Sequence, residues 1–320
     1  MKVVVWQGDL SEDYLRWVCQ IGADGVDLAT TEELPGVKER GYPDLDKLLE
    51  LARRIRRWGL GIYRFSLPTP RRHMLGQPGG EEELDGLCKT IEHLGEAEIP
   101  IARPQFLLES LPPFTTHESV FRGGYTMRGF SLALREKQLA EKPQSPPWTP
   151  DEFLTRCKQV YERILPVAEE TGVKLALHPS DPPLPGAPFD SLGWHHILDA
   201  FPSPNNGLLY CVGTRHEAGG SSLVLDEINK YGRMGKIFHV HFRNVRGSLA
   251  SAGGFEEVLL NDGDMNMFRV LLALDQVGYD GGLNPDHMPR LTGDTPDAKM
   301  ALAYSVGYIK ALLAALEALP

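Results

Sequence analysis

Short apolar runs alternate along the chain with longer segments whose apolar residues recur every three to four positions. Residues 2–6, 25–29, 60–66 and 99–106 have few polar interruptions, the pattern of strands buried on both faces of a parallel sheet. The segments between them carry helical spacing. In 11–21, Tyr14, Leu15, Val18 and Ile21 share a face behind a Ser11 N-cap. A helix over 44–58 has a basic exposed side (Arg53, Arg54, Arg56, Arg57) and stops at Gly59, and another covers 81–94. In the second half, a helix over 149–170 opens on Thr149-Pro150-Asp151-Glu152, with a kink expected at Pro166. Strands then end at His178 and Cys211, and further strands span 236–242 and 282–285. Helices follow them at 191–200, 223–233, 266–277 and 296–319.

Eight strand-then-helix units in 320 residues imply a parallel sheet closed into a (β/α)8 TIM barrel, a single α/β domain over 1–320. An open doubly wound sheet fits less well, because candidate ligands at four strand ends must converge, as they do at a barrel mouth. The rhythm breaks at 107–149, an insertion after strand four rich in Pro, Gly and Arg, with Phe121-Arg-Gly-Gly-Tyr-Thr-Met-Arg-Gly-Phe130 at its middle. A connection of that length and aromatic content reads as a lid rather than a linker.

Composition narrows the partners. A hydrophobic share of 42% and a charged share of 24% suit a soluble protein with a core that needs no staples. A net charge of -10 argues against nucleic acid or an anionic membrane as a partner, and leaves a small-molecule substrate and a homo-oligomer open. No apolar run approaches the roughly 20 residues of a membrane span, and the N-terminal run is too short for a signal peptide, so a cytoplasmic location is expected. Cys19, Cys88 and Cys157 fall on helices, whereas Cys211 ends a strand; there is no CxxC. No GxSxG, Walker or GxGxxG motif follows a strand.

The chemistry gathers at strand ends. His178, Cys211, His241 and Asp286 each close an apolar run. Each alone has a bland structural explanation. Together, at the catalytic end of barrel strands, two imidazoles, a thiolate and a carboxylate suit a divalent ion such as Mn²⁺, Fe²⁺, Co²⁺ or Zn²⁺. His239 points the same way as His241 and is read as a core residue or a neighbour of the ligands. His287, beside Asp286, is the candidate general acid/base. Arg215, Arg243 and the adjoining Asn244 lie just past strand ends and are candidates for substrate binding, a guanidinium being able to hold a carboxylate bidentately. For the arginines, a salt bridge at the mouth is the alternative. Asp181 is expected to orient a ligand histidine. Asp262 and Asp264 read as loop residues or caps.

The segments His178-Pro-Ser-Asp-Pro-Pro183, Cys211-Val-Gly-Thr214, His241-Phe-Arg-Asn-Val245, the 256–265 stretch ending Asn-Asp-Gly-Asp-Met, and Pro285-Asp-His287 resemble the motif series of the mannonate dehydratase family, in that family's order. Gly307-Tyr-Ile-Lys310 fits as well, and the N-terminal half is similar mainly in layout. The resemblance implies a xylose-isomerase-like TIM barrel with a divalent metal, typically Mn²⁺, at His178, Cys211, His241 and Asp286. It implies a lyase reaction of hexuronate catabolism, loss of water from D-mannonate to give 2-dehydro-3-deoxy-D-gluconate, with His287 as acid or base. Some positions depart from the pattern. Asn284 and Met288 stand where the family has an arginine and a glycine around Pro-Asp-His. Residues 291–300 lack the family's downstream tyrosine, Asp297 standing near its place and Tyr304 on the last helix. Dehydration of a sugar acid is the expected function. A metal-dependent sugar isomerase or epimerase on the same barrel, and a non-catalytic sugar-acid binder, are the alternatives.

Overall fold

The computed structural model describes residues 1–30, 34–108, 115–143, 148–184, 187, 189–190 and 194–319. Its strands are β1 (Lys2–Trp6), β2 (Gly25–Ala29), β3 (Gly61–Ser66), β4 (Ile101–Arg103), β5 (His117–Val120) and β6 (Thr126–Ser131), followed by β7 (Lys174–Leu177), β8 (Asn206–Cys211), β9 (Ile237–His241), β10 (Asn244–Arg246), β11 (Gly254–Val258) and β12 (Gly282–Asn284). Eight of them, β1, β2, β3, β4, β7, β8, β9 and β12, close into a parallel barrel in that order. This is the expected (β/α)8 architecture.

The period-2 alternation of each strand divides the barrel into two faces. Leu175, Leu177, Leu208 and Tyr210 join the large core that the strands share with the surrounding helices. The residues between them point the other way: Ile101, Ala176 and Leu209 meet Phe238 in a separate apolar cluster inside the barrel. One further step along the same face brings Arg103, His178 and Cys211 to the mouth. A layer of apolar side chains thus forms the floor beneath the polar strand ends.

The helices follow their sequence signals with few exceptions. Ser11 and Asp44 cap Glu12–Gln20 and Leu45–Arg57 by accepting from the backbone N–H groups of Tyr14 and Lys47. Helix Pro150–Thr171 starts with a reciprocal capping box between Thr149 and Glu152. It continues past Pro166 to Thr171, with Ile164, Leu165 and Ala168 buried on either side of the proline in sequence. The helix after β8 begins at once, at Val212, and not at 223; it reaches Arg233 with a break at Gly220 (φ 81°, ψ -175°). Its glycine- and serine-rich opening reads as loop, but buried Thr214, Arg215 and Glu217 anchor it. The helix expected over 191–200 is seen as His196–Ala200, and 191–193 lie outside the described residues.

The insertion after β4 is built. β5 and β6 form a hairpin, and Leu132–Glu141 is a helix; 109–114 and 144–147 lie outside the described residues. The hairpin joins β10 and β11, from the loop after β9, in an antiparallel sheet ordered β10-β11-β6-β5. Arg128 on β6 pairs with Asp181 beyond β7 and Glu257 beyond β9, and Thr126 bridges to Arg290 beyond β12. All of these partners follow C-terminal strand ends, so the second sheet lies over the catalytic mouth. At the other end of the chain, helix Lys299–Glu317 is long and apolar enough to cross a bilayer by length and composition, contrary to the absence of such a run expected above. In this fold it packs Ala301, Leu302, Val306 and Ile309 inward, and Lys310 holds both carboxylate oxygens of Asp24 at 3.0 Å.

Candidate metal centre and active site

Three neighbouring strands deliver donor atoms to one point. His178 follows β7 directly, Cys211 ends β8 and His241 ends β9, and Cys211 and His241 are register partners. A ligand atom of each of the three lies within 4.8 Å of the others. Asp286, just past β12, brings Oδ2 to 3.0 Å from His241 Nδ1. Trp6 Nε1, at the end of β1, donates to Asp286 Oδ1 at 3.4 Å.

The donor set fits a divalent cation. Neither ring nitrogen of buried His241 has a hydrogen-bond partner among the described residues, despite the contact with Asp286. His178 Nδ1 lies 2.6 Å from Pro179 O, and a proton held there leaves Nε2 as a lone-pair donor. Burial holds the pKa of His178 well below the ordinary range and that of His241 down to about 3, so both rings stay neutral. Burial pushes the Cys211 thiol up to about 11, although Arg243 pulls the other way. Its Sγ accepts from Thr214 N and Oγ1 at 3.4 and 3.1 Å at the start of a helix, a setting that favours a thiolate once a cation balances it. Burial alone would raise the pKa of Asp286; His241 and His287 outweigh it and hold the carboxylate ionised.

His287 sits beside this cluster in a left-handed backbone conformation (φ 53°), uncommon for a non-glycine residue. Its Nδ1 is 2.7 Å from Glu257 Oε1 and its Nε2 3.4 Å from Asp286 Oδ2. Burial would lower its pKa, but the two carboxylates prevail and raise it.

The side chains expected to hold substrate are engaged elsewhere. Arg215 grips Glu227 with Nε and Nη2, at 2.7 and 2.6 Å, and lies over the Trp194 ring, which is the salt-bridge alternative. Arg243 is the centre of a buried ion network. Its Nη1 meets Glu217 at 2.5 Å and Glu257 at 2.8 Å, while Nη2 meets Asp181 at 3.1 Å and donates to Thr214 Oγ1 at 2.8 Å. Asn244 Nδ2 donates to the carbonyls of Leu260 and Met265, and its Oδ1 accepts from Val245 and Met265 N–H groups. It knits the 260–265 loop, and Gly263 must lack a side chain because a Cβ there would lie 2.2 Å from Asn244 Oδ1. Asp181 pairs with Arg128 and Arg243 rather than orienting a histidine.

Sequence reasoning did not single out several residues that the structure gathers here. Glu257 pairs with His287, Arg128 and Arg243. Buried Glu217 has its pKa pushed up to about 7 by desolvation, which outweighs Arg243. Deeper in the barrel, fully buried Asp27 Oδ2 meets Arg64 at 3.1 Å, His239 at 2.8 Å and Asn284 at 2.6 Å. The asparagine that departs from the family pattern therefore belongs to this interior network. Met288 Sδ accepts from Ser305 Oγ at 3.7 Å, and exposed Asp297 pairs with Lys299. Tyr304 is exposed and stacks on Tyr308.

Comparisons with known proteins agree with the strand-end motifs. The sequence pattern of D-mannonate dehydratase (UxuA) matches residues 149–319. Mannonate dehydratase 2 of Halalkalibacterium halodurans is 26% identical over 90% of this chain and 90% of its own length. Mannonate dehydratase of Streptococcus equi subsp. zooepidemicus is 27% identical over 85% of this chain and 84% of its own. The crystal structure of mannonate dehydratase from Streptococcus suis serotype 2 superposes with a TM-score of 0.82, covering 98% of this chain and 94% of that one at 24% identity, a likeness of fold. With the family pattern spanning more than half of the chain and all four donor positions inside it, the chain belongs to the D-mannonate dehydratase (UxuA) family.

Proposed function

We propose that this protein is a metal-dependent hydro-lyase that converts D-mannonate to 2-dehydro-3-deoxy-D-gluconate, with His178, Cys211, His241 and Asp286 holding a divalent ion, Mn²⁺ before Fe²⁺, Co²⁺ or Zn²⁺. The convergence of His178, Cys211 and His241, with Asp286 against His241, in a chain of this family, is the observation that carries the reading. When bound, such an ion acts as a Lewis acid on substrate oxygens and neutralises charge as the proton next to the carboxylate leaves. Dehydration breaks the C2–H and C3–O bonds; the hydroxyl departs as water and the resulting enol becomes the ketone. His287 moves a proton at Nε2. Glu257 fixes the ring by accepting a hydrogen bond from Nδ1–H, which leaves Nε2 on the side of Asp286. The sheet containing β6 and β11, fastened by Arg128 to Asp181 and Glu257, covers the mouth and limits water there.

The test is chelation and reconstitution with D-mannonate as substrate. Metal-free protein should form no 2-keto-3-deoxy acid, and stoichiometric Mn²⁺ should restore its formation. Product formed at full rate after complete metal removal, or none from fully loaded protein, would overturn the reading.

A further inference from the structure

Arg103 ends β4, one position along the inward face from the floor residue Ile101, as His178 follows Ala176 and Cys211 follows Leu209. The three side chains therefore rise on the same face at the barrel mouth. The charged neighbours of Arg103 are Arg64, Asp286, Cys211 and Asp181, and its charge in turn acts on His178 and His241. Arg64, Arg128 and Arg243 are matched by carboxylates. The Arg103 side chain is not: it has no hydrogen bond or ion pair among the described residues, and its Nε is buried without a partner. A partly buried guanidinium in that state lacks the planar anion its donors match.

We infer that Arg103 receives the carboxylate of the substrate, bidentately, beside the donor cluster. The inference rests on the sugar-acid reading above. It makes Arg103 the residue that selects acids over neutral sugars, a task for which Arg215 and Arg243 are already engaged. Burial and the neighbouring Arg64 lower its pKa to about 10, and it stays charged at neutral pH.

Calorimetric binding of D-mannonate and of the neutral sugar D-mannose to metal-loaded parent, Arg103→Lys and Arg103→Met proteins tests this without depending on turnover. Metal content, measured in parallel, should be equal in all three. Affinity for D-mannonate should fall about 10- to 100-fold in Arg103→Met and less in Arg103→Lys, with D-mannose binding unchanged. In Arg103→Ala, added guanidinium should recover part of the loss, which a merely structural role would not allow. Unchanged D-mannonate affinity in Arg103→Met, or a parent that binds D-mannonate no better than D-mannose, overturns the inference. A parent that binds D-mannonate through Arg103 yet forms no keto acid would sink the proposed reaction while leaving Arg103 in its role.

Discussion

His241 and His287 lie within one small volume, yet their surroundings assign them different work. His241, in contact with Asp286 but with neither ring nitrogen hydrogen-bonded among the described residues, belongs to the donor cluster, whereas His287 is clasped by Glu257. His241→Ala should abolish metal binding by elemental analysis. His287→Ala should retain the metal and lose about 10²- to 10⁴-fold in turnover. Equal metal loss in both would contradict the division. The thiol supplies a second prediction at this scale. Cys211 must shed a proton whose pKa burial has pushed up to about 11, so metal binding releases that proton at neutral pH. Apparent metal affinity should rise between pH 6 and 8 by up to about tenfold per unit, with proton release visible in calorimetry across buffers of different ionisation enthalpy. Cys211→Ser should lose that component. The donors are legible in the sequence because each ends an apolar run. Arg103 sits inside such a run, and Glu257 lies in a stretch that reads as loop but forms β11, so their roles depend on contacts with distant strands. Arg215 and Asn244 show the converse: position past a strand end is visible, but the partner that occupies the side chain is not.

At the scale of elements, caps and apolar periodicity mark most helices and all eight barrel strands, because those signals are local. The second sheet escapes such reading. β6 pairs with β11 across more than a hundred intervening residues, as in the register Phe130↔Phe255, and the hairpin has no apolar alternation that announces its partner. Arg128 fastens this hairpin to the mouth through Asp181 and Glu257. Arg128→Met would leave both carboxylates short of a counter-charge. Amide exchange across Thr126–Ser131 should then accelerate at least about tenfold while β7, β8 and β9 keep their protection. Uniform exchange in parent and variant would mean that backbone pairing alone holds the sheet in place.

For the whole molecule, the barrel is closed by pairing β1 with β12 and by Lys310 on the last helix reaching Asp24. Its interior is tied by Asp27. Burial alone would raise the pKa of that carboxylate; His239 and Arg64 outweigh burial and depress it strongly. A depressed carboxylate stabilises the fold above its unfolded pKa of about 4, and that contribution drains away as pH falls below it. Asp27→Asn should therefore cost about 3 kcal/mol at pH 7, in chemical unfolding, and the gap to the parent should narrow below about pH 4. The family motifs crowd into the half of the chain that carries the donors, so the chemistry is more legible than the barrel's interior bracing. On the proposed function, this barrel removes water from a sugar acid rather than moving a proton within one. Proton NMR of D-mannonate incubated in D₂O with the Mn²⁺-loaded protein tests it most directly. A 2-keto-3-deoxy acid carrying solvent deuterium at C3 is the expected product. Recovery of an intact hexonate deuterated at C2, with no keto acid, would show epimerisation and contradict it.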